Sequence, residues 1–165
     1  MKLLSYLVYI PLQMLFLPPA IVGSSLVAYR QLVISKRQGI SQTAVEVLNG
    51  RWTMHVFELR KDEAAAKLAA VMPNTSVTGL WLALFPLWLK YKIAGSHAIY
   101  PRIPERGDET IADMIPARTN CFDELIHHAI QDVEQFVVLG AGYDTRAYGQ
   151  FAKSGVTFFE VDLPA

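Results

Sequence analysis

The residues whose types and spacing could do chemistry lie near the carboxyl end of the chain. Gly140 and Gly142 follow a short apolar run, and Asp162 comes 22 positions after the first glycine. Glycines permit a tight turn and let a ligand approach the backbone, because no Cβ stands in the way. A carboxylate at this distance can accept hydrogen bonds from both hydroxyls of a ribose. The spacing therefore predicts a nucleotide-binding turn.

The turn lacks the third glycine of the dinucleotide fingerprint, because Thr145 stands in its place. This absence disfavours a pyrophosphate-containing cofactor such as NAD and is compatible with a cofactor that has no phosphate. An NAD-dependent enzyme is kept as the weaker alternative. Asp144 and Thr145 are expected to cap a helix after the turn, whose free N–H groups would favour negative charge. Glu160 is a candidate ligand contact, or a strand-end acid satisfied by a backbone donor.

The elements that must position these residues form one unit of alternating strand and helix. Residues 136–139 read as a buried parallel strand, residues 145–153 as a helix, and residues 156–161 as a second strand. This order predicts an α/β fold, in which N-terminal helices are followed by the first βαβ unit of a Rossmann-like sheet.

Three segments resemble the leucine carboxyl methyltransferase family, which includes protein-phosphatase carboxyl methyltransferases and polyketide O-methyltransferases. They are Leu-Gly-Ala-Gly-Tyr-Asp-Thr-Arg over 139–146, Glu-Val-Asp-Leu-Pro over 160–164, and Ala-Arg-Thr-Asn-Cys-Phe-Asp-Glu-Leu over 117–125. Together they span residues 116–164. Three segments in the family's order are a far more specific signal than the glycine turn alone.

The resemblance implies S-adenosyl-L-methionine as the cofactor, lying across the carboxyl ends of the two strands. It implies that Gly140 and Gly142 allow its close approach, that Asp162 holds the ribose, and that Arg118 pairs with the methionine carboxylate. Glu160 is included among the cofactor-binding residues. No catalytic residue and no metal ligand are assigned. The methyl acceptor is left open between a protein carboxyl terminus and a small molecule.

The chain is expected to contain only the N-terminal part of such an enzyme, because it stops just after the second strand. In the family that the chain resembles, the segments that contact adenine and acceptor come later. We therefore expect weak cofactor binding and little activity from this chain alone. The competing hypothesis is a membrane-associated, non-catalytic protein with a remnant nucleotide-binding unit.

Composition restricts the partners and the compartment. The chain has 165 residues, of which 15 are basic and 15 acidic. It therefore has no net positive charge that would favour nucleic acid as a partner. Hydrophobic residues make up 52% and charged residues 18%, which is apolar for a soluble domain. The single cysteine, Cys121, excludes an internal disulfide framework and fits a reducing compartment.

An uncharged N-terminal stretch, residues 3–28, is long enough to cross a bilayer. Three prolines complicate a straight span, so the interpretations are a kinked or re-entrant membrane anchor, a cleaved signal peptide, and a buried apolar helix pair. The basic residues that follow, Arg30, Lys36 and Arg37, would keep the remainder of an anchored protein in the cytosol. A cytoplasmic protein is the alternative.

The sequence therefore divides into an apolar segment (1–34), a helical cap region (35–115) and the start of a cofactor-binding domain (116–165). In the cap region we expect a helix that opens near Thr43 and breaks at Asn49–Gly50, then a helix over 51–71 with the charged residues 60–63 on a solvated face. Residues 80–89 read equally as an interfacial segment with snorkelling lysines or as a core helix. A short helix over 108–115 ended by Pro116 and an amphipathic helix over 118–130 that packs on the sheet complete the prediction.

Overall fold

A computed structural model describes residues 2–152 and 155–163 of the chain. Helices fill the first three quarters, and a small parallel sheet follows. The elements in chain order are α1 (Lys2–Leu15), α2 (Leu17–Ala28), a π-helical turn (Tyr29–Ile34), α3 (Ser35–Arg37), α4 (Gln42–Val56), α5 (Glu63–Val71), α6 (Val77–Ala94), a 3₁₀ turn (Ile111–Asp113), α7 (Met114–Ala129), β1 (Gln135–Leu139) and β2 (Thr157–Val161). This agrees with an α/β arrangement of N-terminal helices before a parallel strand pair.

The two predicted strands are present and lie parallel to each other, but the prediction that the first is buried is wrong, because the residues of β1 are exposed or half-buried. Gln135 pairs with Thr157 and Leu139 with Val161, and the ladder continues where the Gly140 N–H donates to the Val161 carbonyl over 2.8 Å. The predicted helix between them is wrong over its described part, because residues 145–152 form successive turns. Gly149 is a poor helix residue, and the side chains of Asp144 and Arg146 are held by partners on other elements.

Helix α4 begins one residue after Ser41, whose Oγ accepts the Ala44 N–H, so the helix opens slightly earlier than predicted. The predicted break at Asn49–Gly50 is wrong, since both residues lie inside the helix. Gly50 is needed there for packing, because a Cβ would lie 2.5 Å from Cγ2 of Ile115. The predicted helix over 51–71 is also two helices, separated by a turn after Val56.

The hydrophobic core lies between α4, α5 and α6. Its buried centre consists of Leu48, Trp52, Ala65, Ala69 and Leu80. Trp81 of α6 meets Trp52 edge-on with ring centroids 5.6 Å apart. One side of α6 therefore packs in the hydrophobic core, as the core-helix interpretation predicts.

The lysines that follow the apolar part of α6 do not extend into solvent as a pair. Lys90 is buried, and its Nζ donates to the Ser96 carbonyl over 3.0 Å. Lys92 pairs with Glu58 over 2.7 Å. The expectation that both lysines snorkel toward lipid headgroups is therefore wrong for Lys90.

The N-terminal helices follow one another with a kink at Phe16, and both α1 and α2 pack along α6. The closest approach is between two glycines: a Cβ on Gly23 would lie 2.5 Å from the Gly79 carbonyl oxygen, and one on Gly79 would lie 2.9 Å from the Gly23 oxygen. One helical stretch, Leu17–Arg37, is by length and composition sufficient to cross a membrane, and 11% of its most apolar window is buried.

The region before and within α7 differs from the prediction. A 3₁₀ turn replaces the short helix expected from Asp108, and Pro116 lies in the first turn of α7, where a missing N–H costs nothing. The buried side of α7 carries Pro116, Thr119 and Asp123, whereas Phe122 and Leu125 are exposed. The predicted apolar face therefore does not cover the sheet, because the acidic side chain of Asp123 is drawn inward by arginines.

The glycine contact between α2 and α6 gives the first prediction. We expect Gly23→Ala to destabilise the chain by about 1–3 kcal/mol, because the added methyl group would meet backbone atoms that cannot move aside. The helix-propensity gain of alanine, at most about 1 kcal/mol, does not offset this. Chemical denaturation measures the difference, with Ser24→Ala on the exposed side of α2 as the control. Equal stability of the two variants would contradict the close contact.

Candidate cofactor site

A cavity of about 660 Å³ opens between α4, α7, β1 and the turn that follows β1. This volume is within the range of small-molecule sites, roughly 300–1,000 Å³. Four of the five residues predicted to bind the cofactor line it: Arg118, Gly140, Gly142 and Asp162. Its walls also include Ser41, Thr43, Glu46 and Arg51 from α4 and its N-cap, Phe122 from α7, and Phe136 and Phe158 from the strands.

The glycine turn has the backbone that the sequence argument requires. Gly140 and Gly142 have φ values of +64° and +52°, which side chains with a Cβ rarely adopt. A Cβ on Gly140 would meet no atom within 4 Å, so space for a ligand lies beside it. The turn thus brings bare backbone to the cavity wall.

Asp162 lies across from this turn, at the end of β2. Its Oδ2 accepts the Gly142 N–H over 2.6 Å, and its Oδ1 accepts the Leu163 N–H over 2.8 Å. These two N–H groups hold the pKa of the Asp162 carboxyl below its usual range, so the exposed carboxylate is charged at neutral pH. The free N–H groups of a helix after the turn were expected to attract negative charge, but that helix is absent over the described residues. The N–H of Gly142, within the turn, donates to the Asp162 carboxylate instead.

Arg118 lies on the first part of α7, with its guanidinium 5.5 Å from the centre of the Phe122 ring. Within residues 2–152 and 155–163, no carboxylate forms an ion pair with it. An exposed cation on a cavity wall is available to an anionic group of a ligand.

Glu160 does not line the cavity. Its carboxylate accepts the Tyr148 O–H over 2.8 Å on the exposed surface. This bond raises the pKa of the Tyr148 phenol. The structure therefore groups Arg118, Gly140, Gly142 and Asp162, and leaves the proposed role of Glu160 as a prediction.

Beside the cavity, three arginines and three aspartates alternate in a closed ring of ion pairs. The order is Arg51, Asp62, Arg60, Asp123, Arg146, Asp144 and back to Arg51. All six side chains are between 1% and 18% exposed. We refer to these six residues as the ion-pair ring.

The ion-pair ring ties the glycine turn to three other parts of the chain. Arg51 of α4 donates from Nε to Asp62 over 2.9 Å and from Nη1 to Asp144 over 3.0 Å. Arg146 donates from Nε to Asp123 of α7 over 2.6 Å. Thr145, at the position of the missing third glycine, donates its hydroxyl to Asp62 over 3.2 Å. Thr145 therefore contributes a hydrogen bond to a carboxylate of the ion-pair ring.

The ring contradicts the expectation that residues 60–63 form a solvated face. Arg60 and Asp62 are part of the ring, and Asp62 also accepts the Ala65 N–H, which caps α5. Nδ1 of His55 accepts the Asp62 backbone N–H over 3.1 Å. Only the outer pair, Lys61 and Glu63, is solvated as predicted. The run of charged residues was visible in the sequence, but Asp123, the partner that joins Arg60 to α7, lies 63 positions away.

Charge pairing overcomes burial at the ring's carboxylates. Burial alone would raise the pKa of Asp62, but Arg51, the Ala65 N–H and Arg60 together lower it below its ordinary value. Burial would likewise raise the pKa of Asp144, and Arg146, its backbone N–H and Arg51 lower it. Both carboxyls are therefore charged at neutral pH in the folded chain.

Removing one cation from the ring should be costly. We expect Arg51→Met to lower the free energy of unfolding by about 3–5 kcal/mol, because it leaves two buried carboxylates without that partner. Urea denaturation measures the loss. Lys61→Met breaks the exposed pair with Glu63 and should change stability little. Similar effects of the two substitutions would show that the ring is not a stabilising unit.

The lowered pKa values also predict how stability depends on pH. Unfolded carboxyl groups titrate near about 3.9, above the folded values of Asp62 and Asp144, so the unfolded chain takes up protons first as the pH falls. The stabilisation is therefore present above about pH 4 and is lost as the pH falls through the folded pKa values. We expect Asp144→Asn to flatten this decline and Glu124→Gln, on the exposed side of α7, to leave it unchanged. An unchanged slope for Asp144→Asn would contradict the assignment.

Residues 86–165 match the model of the leucine carboxyl methyltransferase family. A protein of Streptomyces coelicolor, named as a candidate S-adenosyl-L-methionine-dependent methyltransferase, is 36% identical over 92 residues, which are 50% of this chain and 32% of that protein. A protein of Frankia alni with the same name is 36% identical over 85 residues, 47% of this chain and 30% of that protein.

A third relative, from Mycobacterium marinum and named in the same way, is 41% identical over 61 residues, or 36% of this chain and 20% of that protein. The chain thus spans no more than about a third of the length of these curated relatives. No solved structure matches it. The matched segment contains α7, the glycine turn and both strands, so the resemblance to the leucine carboxyl methyltransferase family is confirmed for residues 86–165.

Proposed function

We propose that this chain carries the cofactor-binding part of an S-adenosyl-L-methionine-dependent methyltransferase. The observation that carries the proposal is the convergence of Arg118, the glycine turn and Asp162 on one cavity. These residues come from three separate parts of the chain. The family match over residues 86–165 and the names of the relatives support the same cofactor.

The chemistry of the cavity fits this cofactor. The carboxylate of Asp162 is charged and exposed, as acceptance of ribose hydroxyls requires. Arg118 is a cation without a carboxylate partner among the described residues, suited to the methionine carboxylate. The bare backbone at Gly140 allows close approach, and Phe136 and Phe158 offer apolar surface. The absence of a third glycine suits a cofactor without pyrophosphate.

The reaction that we propose is O-methyl transfer to a carboxylate or a hydroxyl group. The cofactor supplies an activated methyl group on a sulfonium with a good leaving group. A carboxylate acceptor is already ionised, so the residues of the protein mainly hold the two partners in line. A hydroxyl acceptor would require a general base, and no described residue is assigned to that role. A protein carboxyl terminus and a small molecule are both retained as acceptors.

We also propose that the protein associates with a membrane through its N-terminal helix, with the rest in the cytosol. Support comes from the apolar stretch Leu17–Arg37 and the basic residues at its end. The same apolar helix favours the second candidate, a membrane-associated protein that has lost catalysis. The two candidates differ in whether the cavity binds the cofactor.

Isothermal titration with S-adenosylmethionine separates these candidates. We expect saturable binding, because Arg118, the glycine turn and Asp162 all line the cavity. Asp162→Asn should weaken it at least about tenfold, since a hydrogen-bonded charge is lost. Asp132→Asn, an exposed carboxylate away from the cavity, is the matched control. Absence of any saturable binding would favour the non-catalytic candidate, and equal competition by NAD would favour a dinucleotide enzyme.

A further inference from the structure

The N-terminal helix exposes a continuous apolar side. Leu3, Leu7, Ile10 and Met14 follow one another at three- and four-residue spacing on α1 and are between 55% and 75% exposed. Ile21 continues the same stripe on α2 at 57%. Soluble monomers rarely expose apolar stripes of this extent without a partner. We call these residues, with Leu32, the outer stripe.

The opposite side of the same helix is fixed to the rest of the protein. Phe16 meets the Phe85 ring with centroids 5.0 Å apart, Gly23 touches Gly79, and Arg30 donates to the Thr75 carbonyl over 2.8 Å. These contacts run along most of the stretch that could cross a bilayer. They fix the segment against α6 and the loop before it.

This attachment decides how the helix can meet a membrane. Helix α2 packs against α6, and α6 packs against the core around Trp52. The helices α4 and α7 on the far side of this core carry members of the ion-pair ring. If α2 crossed the bilayer, α6 and this charged core would have to enter the hydrocarbon beside it. Buried charges in that environment are strongly unfavourable. The helix can instead lie in the plane of the interface, with only its outer stripe in lipid.

Charge indicates which surface the stripe fits. Lys36 comes four residues after Leu32 on the same helical side, Arg37 follows it, and both are exposed. The first acidic residue of the chain is Glu46. Tyr6 and Tyr29 are about half exposed along the helix, and such rings favour the headgroup level. A basic end next to an apolar stripe complements a bilayer with anionic headgroups.

We propose that the outer stripe is a monotopic membrane-binding surface, which lies in the plane of an anionic bilayer and does not cross it. Ser41, on the cavity wall, is four residues past Arg37, so the cavity lies within about 14 Å of the basic end. The proposal deepens the membrane association proposed above. It is independent of cofactor binding, which titration measures separately.

Vesicle co-sedimentation tests the surface. We expect the chain to bind vesicles containing 30 mol% phosphatidylglycerol, roughly tenfold more strongly than vesicles of phosphatidylcholine alone. Leu7→Glu and Ile21→Glu should each reduce vesicle binding about tenfold. Each replaces an apolar side chain that would enter the lipid with a charged one. Leu125→Glu, at an equally exposed position on α7, should leave binding unchanged. Unchanged binding of both stripe variants would overturn the proposal.

Labelling from outside the vesicles tests the orientation. In a Cys121→Ser background, single cysteines are placed by Gln13→Cys and Gln38→Cys, which flank the Leu17–Arg37 stretch. An impermeant maleimide should label both positions, because an in-plane helix keeps both ends on one side. Protection of one position alone would show a crossing helix and overturn the proposal. A dimer in solution that Leu7→Glu dissociates, together with no vesicle binding, would also overturn it in favour of a second copy.

Discussion

The ion-pair ring is the interaction on which the rest of the structure depends. It joins α4, the turn before α5, α7 and the loop after the glycine turn. Its energy is conditional: a complete ring offsets the desolvation of six charges, whereas a ring with one member missing leaves buried charge uncompensated. The loop that carries Gly140 and Gly142 is therefore held in place by the ion pairs of Asp144, together with the packing of Tyr143 against the core.

The ring and the cavity share a wall, which links stability to the proposed function. Arg51, Asp144 and Arg146 line the cavity while pairing with one another or with Asp123. Arg118 lies on the same helix as Asp123 but outside the ring, and no carboxylate among the described residues pairs with it. The arginines of the ring thus hold the glycine turn, whereas Arg118 is the residue that we propose for ligand recognition.

Near the N-terminus, close packing between helix backbones holds the elements together, in place of ion pairs. Gly23 and Gly79 let the backbones of α2 and α6 touch, which fixes the N-terminal helix against the core on one side. The other side is left apolar and exposed. Small residues thus lie on the face that packs in the fold, and large apolar residues lie on the exposed face. This division is the basis of the in-plane orientation that we propose for the segment.

The sequence by itself determined the strand pair, the glycine turn and the acid at the end of the second strand, because these depend on local patterns of apolar residues, glycine and spacing. It also indicated the family, through segments that are contiguous in the chain. Only the tertiary structure decided that α4 passes through Gly50, that Phe122 and Leu125 stay exposed, and that Arg60 and Asp62 are drawn into the ion-pair ring. Those outcomes depend on partners far away in the chain, such as Ile115 for Gly50 and Asp123 for Arg60. The same holds for the N-terminal segment, since composition fixed its apolar character and only its contact with α6 determined which side remains exposed.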